Sequence, residues 1–294
     1  MNTIPSPGLR FRRVAIVAKD GPREGPAVAR VLGDWLEAHG ITVYYDRRTA
    51  ERLSRDDGFE RGAWPERCDL AVVAGGDGTL LSVAREAIPA GLPILGVNLG
   101  SLGFLTELQP EELEGGLERM LGGDYQIEER MVLDVSYPGE DGKPQRLSLL
   151  NDTVVTKGAL ARMISLEVCV DDERVATYTS DGLIVSTPTG STAYALSAGG
   201  PILDPRMDAF IVAPICPHTM TYRPLVVPGD VTLTVVLRKG SDSVFLTLDG
   251  QVGVPLAEGA EVRIRADPRR VKLIRVAGRG FFEVLRRKLR WGER

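Results

Sequence analysis

Cysteine and histidine are scarce in this chain. There are three cysteines (Cys68, Cys169 and Cys216) and two histidines (His39 and His218) in 294 residues. The cysteines lie far apart and form no C-x-x-C pair, which argues against a structural zinc site and for a reducing compartment. Two histidines exclude a His-rich metal centre. No apolar run approaches the roughly 18 residues of a membrane span. Met1–Arg10 carries polar, Pro and Gly breaks and lacks the apolar core of a signal peptide. A surplus of charge is missing as well: 36 Lys and Arg face 40 Asp and Glu, a formal net charge of −4. A chain-wide basic surface for nucleic acid is therefore not expected. What is present is a hydrophobic fraction of 43%, enough to fill real cores and to rule out wholesale disorder. The length suits two average domains or one large one. These readings describe a cytoplasmic globular protein with no nucleic-acid or membrane partner.

The first 123 residues alternate between strand and helix patterns. Val14–Ala18, Ile41–Tyr45, Leu70–Ala74 and Pro93–Asn98 read as strands. Between the first two, Glu24–His39 places Val28, Val31, Leu32, Trp35 and Leu36 on one helical stripe. Pro110, Glu111 and Glu112 open a further helix, with proline and carboxylates where a helix start favours them. Such alternation implies a parallel sheet covered by helices. From residue 124 the rhythm changes to short strand-like runs. These include Arg130–Tyr137, Gln145–Lys157, Met163–Val170, Arg174–Ser180, Phe210–Cys216, Val231–Leu237, Ser243–Leu248, Glu261–Ala266 and Val271–Val276. Runs at this spacing predict a β-sandwich-like second domain over residues 124–278, with one short helix starting near Ser191. The segment 279–294 is a basic amphipathic helix, with Phe282, Leu285 and Leu289 on one face. It is read as docking on the N-terminal domain, with a membrane-surface role as the alternative.

Four motifs carry candidate chemistry. Gly75-Gly76-Asp77-Gly78-Thr79 lies between a buried strand and a helix. Its glycines allow positive φ and close ligand approach, and the helix start adds free N–H donors. Gly75, Gly76, Gly78 and Thr79 are thus candidates for binding phosphate groups. Asp77 repels phosphate; it suits a base for a hydroxyl or a metal ligand, the bland alternative being a helix cap. No G-x-x-x-x-G-K-[ST] and no helix-opening G-x-G-x-x-G occurs, which excludes a Walker ATPase and a Rossmann-type dinucleotide grip. In the second, Ser180-Asp181-Gly182 is followed by Thr187-Pro188-Thr189-Gly190-Ser191-Thr192-Ala193-Tyr194, where five hydroxyls fall within eight residues. They suit a nucleotide's hydroxyls and phosphates, and Tyr194 can supply an aromatic wall. At Asn151-Asp152 an amide and a carboxylate can grip vicinal sugar hydroxyls. A further glycine turn, Gly100-Ser101-Leu102-Gly103-Phe104, presents Phe104 either to the core or as a stacking platform.

In this order and spacing the motifs closely resemble those of bacterial NAD kinases, over nearly the whole chain. The glycine–aspartate turn alone is shared with diacylglycerol and sphingosine kinases, so the Thr187–Tyr194 stretch is what discriminates. The resemblance implies a two-domain fold, an α/β N-terminal domain with a parallel sheet plus a β-rich, sandwich-like C-terminal domain. It implies phosphoryl transfer from ATP, or from inorganic polyphosphate, to the 2′-hydroxyl of the adenosine ribose of NAD. By position, Asp77 would be the general base and Gly78 would line the NAD site. Phe104 would be a pocket wall, and Asn151 and Asp152 would bind NAD hydroxyls. Arg162, Thr179, Asp181, Thr192, Ala193, Tyr194, Ala195, Leu196, Ser197 and Gln251 would complete the dinucleotide pocket. The family commonly has Asn-Glu where this chain has Asn151-Asp152, so the shorter carboxylate would reach ribose through water. A divalent cation, Mg²⁺, would bridge the donor phosphates, held largely by substrate and water. A homo-oligomer, dimer or tetramer, is implied as well.

Overall fold

The computed structural model describes residues 11–21, 24–66, 68–139, 142–240, 243–276, 278 and 280–291; the signal-peptide reading of Met1–Arg10 lies outside them. The chain runs β1 (Arg13–Ala18), α1 (Glu24–Ala38), β2 (Thr42–Tyr45), α2 (Arg47–Arg52), β3 (Leu70–Gly75), α3 (Asp77–Ala87), β4 (Ile94–Asn98), α4 (Leu113–Leu121) and β5 (Gln126–Arg130). There follow β6 (Leu133–Pro138), β7 (Pro144–Leu149), β8 (Asp152–Lys157), β9 (Ile164–Val170), β10 (Glu173–Ser180) and β11 (Gly182–Ser186). After the short α5 (Tyr194–Ser197) come β12 (Ala209–Ile215), β13 (Leu225–Pro228), β14 (Leu233–Lys239), β15 (Val244–Leu248) and β16 (Val252–Pro255). The chain ends with β17 (Glu261–Ala266), β18 (Val271–Arg275) and α6 (Phe281–Leu289).

Two compact units result: Met1–Glu129 with Val271–Arg294, and Arg130–Arg270. The first is an α/β domain around a six-stranded sheet of order β2-β1-β3-β4-β18-β5. Its pairings β1/β2, β1/β3, β3/β4 and β4/β18 are parallel. Strands β1 and β3 read as unbroken apolar runs because helices cover both faces of such a sheet. In α1 the buried stripe is Ala29, Leu32, Gly33 and Leu36, while Val31 is 60% exposed, contrary to the hydrophobic reading. Small residues set that stripe: a Cβ on Gly33 would collide with the Tyr45 ring, so the helix approaches the sheet through its smallest side chains.

The second unit packs two six-stranded sheets, β10-β9-β14-β17-β6-β7 and β13-β12-β11-β8-β15-β16. The pairings within them are antiparallel. Leu133, Val135 and Ile264 of one sheet share a core with Val155, Leu183 and Phe210 of the other. The second sheet is buried on its far side too, where Val154, Ile184 and Ile211 pack with Ala195 of α5.

Two boundaries differ from the sequence reading. The run Val271–Val276 was expected in the β-rich domain, yet β18 pairs with β4 in the parallel sheet, so the second unit closes at Arg270 rather than 278. Strand β5 likewise stays with the first sheet, moving the first boundary from 123 to 129. Periodicity shows that a run is a strand but not which sheet accepts it. The run Gln145–Lys157 is not one strand either. It breaks at Leu150-Asn151, where the chain passes from β7 in one sheet to β8 in the other.

Candidate functional site

In the first unit the strand order reverses at β1, which has β2 on one side and β3 on the other. Open α/β sheets bind ligands outside the carboxyl ends of strands at such switch points. The Gly75–Thr79 turn occupies this position, leading from the end of β3 into α3. Gly75, Gly76 and Gly78 do not adopt positive φ, contrary to the sequence reading. Gly75 is needed for packing, since a Cβ there would lie 2.6 Å from the Thr79 hydroxyl. At Gly76 and Gly78 a Cβ would meet no atom within 4 Å, so the start of α3 is open to a ligand.

Asp77 does not cap α3. Gly76 holds the cap position without a side-chain bond, and Asp77 is the first helical residue. Its carboxylate turns instead to the loop after β4, where Oδ2 accepts the N–H of Phe104 (2.9 Å) and Oδ1 that of Leu105 (3.1 Å). Gly103 makes this approach feasible, because a Cβ there would stand 2.2 Å from Asp77 Oδ1. The loop is itself anchored. Leu99 N–H donates to Gly75 O (3.0 Å) and Asn98 Nδ2 to Gly100 O (2.8 Å). Arg275 of β18, paired with Glu107 (3.1 Å) and Glu128 (2.7 Å), points Nη2 at the Phe104 carbonyl (3.4 Å). Phe104 is half-buried, near the Phe281 ring (6.4 Å between centroids) and under the Lys288 ammonium (5.2 Å). It is therefore neither core nor a free platform.

The second unit carries the remaining predicted residues in two separate groups. At one end of the sheet, Asp152 pairs with Ser186 across β8 and β11. Thr187 N–H donates to Asn151 O (2.9 Å) and its hydroxyl to Leu150 O (2.6 Å). The same hydroxyl accepts the Gly190 N–H (3.1 Å), and a Cβ on Gly190 would lie 2.4 Å from Asn151 O. Thr192, Ala193, Tyr194, Ala195, Leu196 and Ser197 follow directly in a short 3-10 turn and α5. Tyr194 is 45% exposed. Gln251, exposed on the β15–β16 turn, lies beyond Asp249, whose carboxylate accepts the Asn151 N–H (2.8 Å).

Asp181 sits at the other end, with Lys157 Nζ 3.5 Å from its carboxylate. It is five strand residues from the Asp152 end, roughly 16–17 Å at the usual strand rise. Thr179 on β10 and Arg162 in the β8–β9 connection are exposed, and the Thr179 carbonyl accepts the His218 N–H (2.9 Å). The structure thus joins Asn151, Asp152, the Thr187–Ser197 segment and Gln251, and leaves Asp181 and Thr179 apart from them.

Asp152 is 5% exposed. Burial, and then the charge of Asp249, push its carboxyl up to about 7, so near neutrality it can donate as well as accept a hydrogen bond. Residue reading missed Asp249 and Leu105, and it named Gly103 as a turn glycine without its clearance for Asp77. For Asp249 a signal existed, since Asp-Gly between two strand runs marks a tight hairpin turn.

Comparison with known proteins agrees along the whole chain. Residues 14–125 match the ATP-NAD kinase N-terminal domain and residues 150–276 the ATP-NAD kinase C-terminal domain. The NAD kinase of Geotalea daltonii is 48% identical over 284 residues, covering 97% of this chain and 100% of the relative. That of Geobacter sulfurreducens is 47% identical with the same coverage. Yeast NADH kinase, solved with NADH, shares the fold at a TM-score of 0.87 and 23% identity, over 100% of this chain and 94% of its own. An NAD kinase from Archaeoglobus fulgidus in complex with ATP superimposes at a TM-score of 0.75 and 27% identity, over 95% and 98%.

Proposed function

This chain belongs to the NAD kinase family and phosphorylates NAD to NADP with ATP as donor, and we propose that its residues divide that work between the two units. Asp77 is the general base. It accepts the proton of the ribose 2′-hydroxyl as that oxygen attacks the terminal phosphorus of ATP, and ADP leaves. The observation that carries this assignment is the anchoring of Asp77 by two backbone N–H groups at the switch point of the parallel sheet. Catalysis of this reaction rests on positioning and charge stabilisation, and a carboxylate fixed at both oxygens is already placed. Beside it, the open Gly76–Thr79 helix start receives donor phosphates. In the second unit Asn151 and Asp152 grip the ribose hydroxyls, and the Thr187–Ser197 segment with Gln251 holds the rest of the acceptor. Asp181, Arg162 and Thr179 are assigned to its distal part.

A divalent cation, Mg²⁺, belongs to this reading. Among the described residues no three His, Cys, Asp or Glu side chains converge as a cage. A lone carboxylate beside a phosphate-receiving turn is a donor set that fits Mg²⁺, which keeps its waters and takes most of its ligands from phosphate. When bound it supplies neutralisation of the charge on the transferring group. We further assign the protein to the cytoplasm as a dimer or tetramer. The free cysteines Cys68, Cys169 and Cys216 support a reducing compartment, and no helix among the described residues is long and apolar enough to cross a membrane. NADP formation from NAD, with ATP and then polyphosphate as donor, tests the function; NAD binding without NADP formation overturns it. Analytical ultracentrifugation decides the assembly.

A further inference from the structure

The corner between β7 and β8 is where the chain changes sheet, and it carries the acceptor pair. At a corner, backbone N–H groups lose their strand partners and need others. Three successive ones, those of Leu150, Asn151 and Asp152, are accepted by a single carboxylate, Asp249, at 3.0, 2.8 and 3.0 Å. Asp249 returns its own N–H to Asp152 O (2.9 Å). Its backbone is held for the task. Asp249 (φ 49°) and Gly250 (φ 65°) are both left-handed, and Gln251 N–H closes the turn on Leu248 O (3.0 Å). The carbonyl side of the same corner is taken by Thr187 and by the Ser186 hydroxyl (3.2 Å to Asn151 O). Leu150 and Asn151 are thus clamped between the Gln251 turn and the hydroxyl-rich loop.

We propose that Asp249 is the positioning residue of the acceptor site, setting the backbone from which Asn151 and Asp152 present their side chains and tying that backbone to the Gln251 turn. This rests on the reading that Asn151 and Asp152 bind NAD. A neutral side chain would match the three donors poorly, since hydrogen bonds to an ionised acceptor are about twice as strong as neutral ones. The arrangement has an electrostatic consequence. Asp249, 6% exposed, lies close enough to Asp152 to disfavour its ionisation, whereas β11 presents only the non-titrating Ser186 opposite.

The test is NAD titration in the absence of ATP, with KM for ATP measured separately, on wild type, Asp249→Asn, Asp249→Ala and Asn151→Ala. Asn tolerates the left-handed turn and keeps one acceptor oxygen, but turns an amide N–H toward a backbone N–H. We expect the NAD dissociation constant to rise about tenfold in Asp249→Asn and further in Asp249→Ala. KM for ATP should stay within about twofold, a split that general destabilisation does not produce. The pH dependence of NAD affinity, centred near 7 in wild type through Asp152, should shift downward in Asp249→Asn but stay above the ordinary carboxylate range, because burial, the larger cause, remains. If Asp249→Ala does not fold, the Asn variant and its pH profile carry the test. NAD affinity within twofold of wild type in Asp249→Asn, with Asn151→Ala weakened, overturns the role of Asp249 and leaves the acceptor reading standing. Unchanged affinity in Asn151→Ala overturns the acceptor reading, and this inference with it.

Discussion

In the first unit the site carboxylate follows a parallel strand and is held from outside its own helix. Asp77 takes its hydrogen bonds from the backbone of Phe104 and Leu105, in a loop that also reaches back to Gly75. In the second unit the site carboxylate opens an antiparallel strand at a corner between two sheets, and it is Asp152's backbone that is held, by a second carboxylate. The two groups end in opposite electrostatic settings. Asp77 sits half-buried among donors at the start of a helix, while Asp152 is buried beside a like charge. A base needs a charged, accessible oxygen; a ribose grip tolerates a proton and gains a donor from it. Identical side chains are thereby assigned different work.

The largest expected break in this contrast comes from Asp77→Asn. It removes the proton acceptor and should lower kcat by about 10²–10⁴, the usual contribution of general acid–base catalysis. The NAD dissociation constant should move far less. Since both Asp77 oxygens accept N–H groups, the amide also meets one of them head-on, and a stability loss of about 1–2 kcal/mol should accompany the change. A stability loss with near-normal turnover would reduce Asp77 to an anchor for its loop.

Gly103→Ala probes the same carboxylate without replacing it. The added methyl would stand 2.2 Å from Oδ1, so Asp77 or its loop must shift. Displacing a reacting group by about 1 Å costs about 10²-fold in rate. Steady-state kinetics on this variant should therefore show a kcat defect with NAD affinity nearly intact; normal kcat would mean that the observed Asp77 position is not the working one.

On the other side of the contrast, Asp152→Asn should change stability in a pH-dependent way. The folded carboxyl is raised to about 7, above its ordinary value near 4. Relative to the unfolded chain, wild type is therefore best served below pH 4 and loses this contribution as pH rises to about 7. The Asn variant has no charge to bury. Its unfolding free energy relative to wild type should gain most at pH 8, by up to about 4 kcal/mol, and least at pH 4. A difference that does not vary with pH would remove the raised carboxyl from the account. The smallest effect is expected from Tyr194→Ala, where loss of an exposed aromatic wall should weaken NAD binding by about 0.5–1.5 kcal/mol, with kcat little altered.

Much of this was legible in the sequence. The apolar run Leu70–Ala74 ending in glycines announced a buried strand feeding a ligand turn, and the change of rhythm past residue 123 announced the second domain. What stayed hidden is long-range. The Asp77 anchor depends on Gly103 and two backbone N–H groups that no side-chain pattern encodes. Asp249 lies 97 residues from Asp152, and its Asp-Gly turn would be made whether or not a corner needed its carboxylate. Hydrophobic periodicity also ran Gln145–Lys157 together, because both β7 and β8 are strands and only the change of sheet separates them. The α1 stripe erred only at Val31: Leu32 and Leu36 are buried and Val28 and Trp35 pack against the core, while Ala29 and Gly33, buried for their smallness and not their hydrophobicity, escaped it.

The division of labour is tested most directly by measuring kcat and the NAD dissociation constant for Asp77→Asn, Asp152→Ala and the double variant. Losses at groups doing separate work add to within about 0.5 kcal/mol. The account predicts that the double variant inherits its rate defect from Asp77→Asn and its NAD affinity from Asp152→Ala. It is contradicted if Asp152→Ala lowers kcat as far as Asp77→Asn does and the double variant is no slower than either.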